Sequence, residues 1–119
     1  MSLLVDVYRD NAVGEMEFLD PQDPAKEIAG LEVFRETFYG GHAARSLGLR
    51  LLPSLAERDL YVKGDGLTTL QNEAILVLEN ISLFRDQAGA DIEFLRSRIR
   101  NILAAVERAQ QEGGGVVIW

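Results

Sequence analysis

The sequence contains no cysteine, one histidine and one tryptophan among its 119 residues, and only three prolines. The absence of cysteine excludes disulfide staples, thiolate metal sites and cysteine nucleophiles together, and it fits a reducing compartment. The lone His42 cannot form a metal site by itself, and no His-x-x-x-His pair or carboxylate at ligand spacing accompanies it. Ser46, Ser54, Ser82 and Ser97 lie in no Gly-x-Ser-x-Gly elbow, so a hydrolase of that type has no nucleophile. Long apolar runs are missing too. The uncharged run Ala74 to Leu78 is far short of the roughly 20 residues that a bilayer requires. Met1-Ser2-Leu3-Leu4-Val5-Asp6-Val7 has no basic residue and meets a charge early, so it reads as neither a signal peptide nor a membrane span. The expectation is a cytoplasmic protein with no cofactor and no membrane partner.

Positive charge is also scarce. Twelve Lys and Arg face nineteen Asp and Glu, for a net charge of −7. Residues 1–30 carry Asp6, Asp10, Glu15, Glu17, Asp20, Asp23 and Glu27 against Arg9 and Lys26 alone, which leaves −5 of the total in that quarter of the chain. A field of this sign repels phosphate backbones and attracts basic partners, so nucleic acid is not an expected ligand. Glu15, Glu17, Asp20 and Asp23 are the acidic candidates for binding a protein partner. Tyr39 and Trp119 are the aromatic ones, because aromatic side chains are enriched at interfaces.

What the chain does contain is packing pattern. With 47% hydrophobic and 26% charged residues, a chain of this length can bury a core without a metal or disulfide. Leu3, Val5 and Val7 alternate as on a strand. Asp10-Asn11-Ala12-Val13-Gly14 supplies a turn, and Glu15-Met16-Glu17-Phe18-Leu19 completes a hairpin whose outward face would carry Glu15 and Glu17. Asp20-Pro21-Gln22-Asp23-Pro24 reads as a loop. Ile28, Leu31, Phe34 and Phe38 recur at spacings of three and four, which predicts a short amphipathic helix ended by Gly40-Gly41. Ala43 to Leu47 fits one helical turn with Gly48 behind it, and Leu49 to Pro53 a strand or extended link. Asp59 to Lys63 is a strand signal.

Two longer helices follow. The first is expected over residues 67–87, capped by Asp65 or by Thr68 with Gln71, and is apolar over more than half its circumference once Ile75, Leu76, Leu83 and Phe84 are counted. That surplus needs another helix, a partner or a copy to cover it. The second, over residues 91–112 with Asp91 as cap, has a narrower stripe through Ile92, Leu95, Ile99, Ile102, Leu103 and Val106. Gly113-Gly114-Gly115 then leads into the strand-like Val116-Val117-Ile118-Trp119. The fold class expected is α+β: a small, mainly antiparallel sheet from residues 3–8, 15–19, 59–63 and 115–119, packed against two long helices and one shorter helix in a single domain.

Paired acids for proton transfer do not stand out. Glu73 and Glu79, flanked by apolar residues, are the acids expected to be partly buried, as structural hydrogen-bonding groups. The sequence Gly48-Leu49-Arg50-Leu51-Leu52-Pro53-Ser54-Leu55, then Tyr61-Val62-Lys63-Gly64, then Leu67-Thr68-Thr69-Leu70-Gln71-Asn72-Glu73, resembles small immunity proteins of bacterial polymorphic-toxin systems. The resemblance covers residues 48–79 and implies a non-enzymatic inhibitor whose acidic surface covers a basic toxin. Two other readings remain open: a structural homo-oligomer formed through the broad helix or the 115–119 strand, and a small-ligand pocket using His42, Tyr39 and Glu73.

Overall fold

The computed structural model describes residues 2–20 and 24–119. It is an α+β protein whose five strands all pair antiparallel. Strand β1 (Ser2–Asp10) has β5 (Gly115–Ile118) along one side, and on the other β2 (Met16–Phe18) and β3 (Ile28–Leu31) one after the other. Strand β4 (Leu60–Lys63) pairs with the free side of β5. The register aligns Val5, Ile118 and Leu60 in one rank and Val7, Val116 and Val62 in the next. All six are buried on the side that meets the helices.

Helix α4 (Ile92–Glu112) lies across that side and contacts β1, β3 and β5. Its buried stripe of Leu95, Ile99, Ile102, Val106 and Ala109 follows the predicted spacing. Its start is fixed as expected, with the Asp91 carboxylate accepting from the Glu93 and Phe94 amides at 2.9 and 3.2 Å. The glycine triplet at its end has a steric cause at each position. Gly113 takes the left-handed conformation (φ 66°). A Cβ on Gly114 would lie 2.0 Å from the Tyr8 carbonyl oxygen, and one on Gly115 would lie 2.5 Å from the Tyr8 ring.

Four expectations need correction. Residues 28–38 do not form one helix. The 3-10 turn Pro24–Glu27 is followed by β3 and then, after a turn, by the π-helical turn Arg35–Tyr39. Gly30 is the reason: its φ of 141° is closed to L side chains, and the Phe34 ring lies where its Cβ would stand. The wide helix α2 (Asp65–Glu79) has Gly64 at its N-cap with no side-chain cap, so neither Asp65 nor Thr68 plays that part. It stops at Asn80, whose side chain donates to the Leu76 carbonyl at 2.9 Å. Beyond Asn80 the chain continues as the 3-10 turn Ile81–Leu83 and the short helix α3 (Arg85–Ala88), which turns Ile81 and Phe84 inward. Finally, residues 49–53 form no strand, and the chain is already helical in its torsion angles from Leu51. The helical turn α1 (His42–Ser46) ends before Gly48 as predicted, but a 3-10 helix, Leu52–Ala56, follows it.

These irregular segments pack through an aromatic cluster in which Phe38 meets Phe34, Tyr39 and Phe84 at centroid distances of 5.4, 4.7 and 5.2 Å. Two polar clamps hold them. Arg35 pairs with Glu32 and Asp59 at 2.6 Å each and donates to the Leu55 and Arg58 carbonyls at 3.1 Å. Glu73 of α2, only 7% exposed, accepts from the amides of Arg50, Leu51 and Leu52 at 3.0, 3.0 and 2.9 Å. This is the structural role anticipated for Glu73, whereas Glu79 is exposed. A Gln at position 73 would turn an NH2 group toward one or two of those amides and leave buried donors unpaired. Glu73→Gln is therefore expected to lower unfolding free energy by about 3 kcal/mol in urea titrations, with Thr69→Ala as a near-neutral control.

Candidate protein-binding surface

The face of the sheet turned away from α4 is built by the alternate positions Leu4, Asp6, Tyr8 and Asp10 of β1. Met16 and Phe18 of β2, Leu31 of β3, Tyr61 and Lys63 of β4, and Val117 with the adjoining Trp119 complete it. Its apolar members Leu4, Met16, Phe18, Leu31, Tyr61 and Trp119 are between 37% and 49% exposed. A contiguous exposed apolar patch of this kind marks an interaction site more often than scattered single apolar residues do.

Its centre is a chain of four rings. Phe18 stacks on Trp119 at 5.2 Å and 26° between planes. Trp119 meets Tyr61 edge to face at 6.4 Å, and Tyr61 reaches Tyr8 at 6.5 Å. Val117, flanked across the ladder by Asp6 and Tyr61, is fully buried although it points away from the helices and lies outside the helix-side core. The rings therefore act as the lid on a second, shallow apolar layer.

Polar groups fix this layer. The Trp119 indole donates to Asp6 Oδ2 at 2.9 Å. The Glu27 carboxyl lies beside the same Asp6 carboxylate, and the hydrogen bond it can donate to it when protonated, then burial and the Asp6 charge, hold it above its ordinary range. Burial, with Asp10 and Tyr61 adding to it, pushes the Tyr8 phenol up. Lys63 lies 3.9 Å from Asp10.

The predicted partner-binding residues are only partly gathered here. Trp119 is at the centre. Glu15 and Glu17 are exposed, as expected for the hairpin, but on the side of it away from the rings. Glu17 is opposite Arg9, which reaches Glu112 at the end of α4, so these acids lie on the helix side and Met16 and Phe18 face outward. Alternation along the strand separates two faces without saying which one the helices take. Asp20 is exposed just beyond β2, and Asp23 lies outside the described residues. Tyr39 is withdrawn from the surface altogether. It is 1% exposed, its hydroxyl donates to the Ala29 carbonyl, and burial pushes its phenol up. Asp6, Phe18 and Tyr61 are absent from the sequence candidates, because only the pairing of β2, β1, β5 and β4 brings them beside Trp119.

The small-ligand grouping does not assemble. His42 is exposed, while the Tyr39 hydroxyl and the Glu73 carboxylate are already engaged by backbone. An open cleft of about 270 Å³ between the start of α2 and the end of α4 is lined by Gly64, Leu67, Ala109, Gln110, Gly113 and Gly114, with no titratable side chain. Among the described residues no three His, Asp or Glu side chains gather as a metal site, and no helix is long and apolar enough to cross a membrane. Compared with known proteins, the chain matches no protein-family model, no curated protein and no solved structure.

The Asp6–Glu27 pair has a signature in pH. A carboxyl whose pKa is higher in the folded than in the unfolded chain stabilises the fold while protonated, and that contribution is lost as pH rises through the folded value. Glu27→Gln should therefore gain stability relative to the wild type as pH rises from about 4 to 7, measured as the difference between urea midpoints at each pH.

Proposed function

We propose that this protein is a non-enzymatic binding protein that covers a basic protein partner, as an immunity protein covers its toxin. The observation that carries this reading is the open sheet face, a broad apolar layer edged by Asp6, Asp10 and Glu27 on a chain of net charge −7. Interfaces of this make-up join an aromatic centre to a charged rim that steers the partner in. The resemblance of residues 48–79 to immunity proteins supports the same class, and so does the commitment of the buried polar side chains Glu73 and Tyr39 to structural hydrogen bonds.

Titration calorimetry against the protein encoded by the adjacent gene tests it. Phe18→Asp places a charge on the face without entering the helix-side core and should weaken binding about tenfold or more. Glu107→Gln, on the exposed side of α4, should leave binding unchanged, and affinity should fall as salt is raised. Binding indifferent to both Phe18→Asp and salt overturns the reading.

One observation favours a second reading, a homo-oligomer. Ile75, Leu76 and Leu83, on and just after α2, are exposed. The surplus foreseen there is thus real except for Phe84, which is buried. Sedimentation equilibrium at high concentration should then show a dimer that Leu76→Asp returns to monomer, and a wild-type monomer removes this alternative.

A further inference from the structure

The geometry points to a recognition site for arginine side chains on the four-ring platform formed by Phe18, Trp119, Tyr61 and Tyr8. This deepens the proposed function and rests on it, since it names the chemistry by which the open face takes hold of a basic partner.

Three observations converge on a guanidinium. The first is the rings themselves. Tyr61 and Phe18 are about half exposed and stand on either side of the Trp119 indole, with the buried Tyr8 ring beyond Tyr61. Phe18 covers one side of the indole, so Tyr61 and the outer side of Phe18 are the surfaces a planar cation can reach. Aromatic faces attract cations through the ring quadrupole, and Arg, planar and weakly hydrated, stacks on them better than Lys. The second is charge. Asp6 lies in the same cross-strand rank as Tyr61, with Val117 between them, and Asp10 lies four residues along β1 on the same face, so carboxylates flank the rings. Among the described residues, Lys63 is the one cationic side chain that the strands place on this face, and its 3.9 Å approach to Asp10 is exposed on both sides. Lys63 thus occupies, loosely, a position that a partner cation would contest. The third is preorganisation. The indole bond to Asp6 and the burial of Val117 beneath the rings fix the platform before any ligand arrives, which lowers the entropy lost on binding.

Trp119 is the only tryptophan, so its fluorescence reports on this face alone. The probes are N-acetylated, C-amidated tetrapeptides of arginine, lysine and citrulline at low ionic strength, citrulline being the uncharged isostere of arginine. Saturable change of Trp119 emission is expected with tetra-arginine, about threefold weaker binding with tetra-lysine, and no saturation with tetra-citrulline. Tyr61→Leu keeps apolar area but removes the ring, and should weaken tetra-arginine about threefold. Lys63→Gln, a solvent-exposed change that leaves the core untouched, should tighten it about twofold. Citrulline binding as well as arginine overturns the inference, as does a tetra-arginine affinity unmoved by both variants. If tetra-arginine fails while the natural partner still binds and still responds to Phe18→Asp, the guanidinium site falls and the proposed function stands.

Discussion

The sheet depends on β5 standing between β1 and β4. Every residue of Gly115–Ile118 is buried, and its two ladders are what join the 60–63 segment to the strand that begins at Ser2. Because β5 is covered on both faces, it reads as an unbroken apolar run rather than an alternating one. Its odd and even positions serve different purposes. Val116 and Ile118 complete the core under α4, whereas Val117 and the adjoining Trp119 build the layer on the other side. One short segment thus supports both the fold and the candidate surface, and a change in its register by one residue would exchange the two. The glycines before it make the position attainable: α4 must end, turn and enter the sheet against Tyr8 within three residues that have no Cβ to collide.

The division of the molecule follows from that arrangement. At one end lie the strands, with α4 along one face and aromatic rings along the other. At the other end, residues 32–59 and 81–88 form short helical turns of several kinds around Phe38, held by point contacts rather than by ladders. Arg35 and Glu73 do for this end what hydrogen-bonded registers do for the sheet, each tying the backbone of a distant segment to its own element.

Strong periodicity made much of this legible. Leu3, Val5 and Val7, the turn at Asn11 and Gly14, the Asp91 cap with its stripe, and the glycine stop each signal one conformation and adopt it. What escaped has identifiable causes. Ile28, Leu31, Phe34 and Phe38 have helical spacing, but only the last two serve a helical turn, since a four-residue strand is too short to set a period of its own. The stop at Asn80 is a C-terminal signal masked by the apolar residues on either side. In the hairpin, the alternation of Glu15, Met16, Glu17 and Phe18 signals two faces, and both are exposed, with Glu17 beside Arg9 on one and Met16 and Phe18 on the open sheet face. For the candidate site, Trp119 could be picked out by its position beside a strand. Phe18 and Tyr61 could not, since only pairing through β1 and β5 brings them to it.

The three amides held by Glu73 share a single acceptor group on another helix. None of them can exchange its hydrogen with solvent by a private fluctuation of the 50–52 backbone unless that carboxylate also lets go. Their protection should therefore rise and fall together, and with the attachment of the 3-10 segment to α2 rather than with global unfolding of the sheet. A loop devoid of any ladder thus acquires a common opening event, its lifetime governed by one side chain 21 residues away.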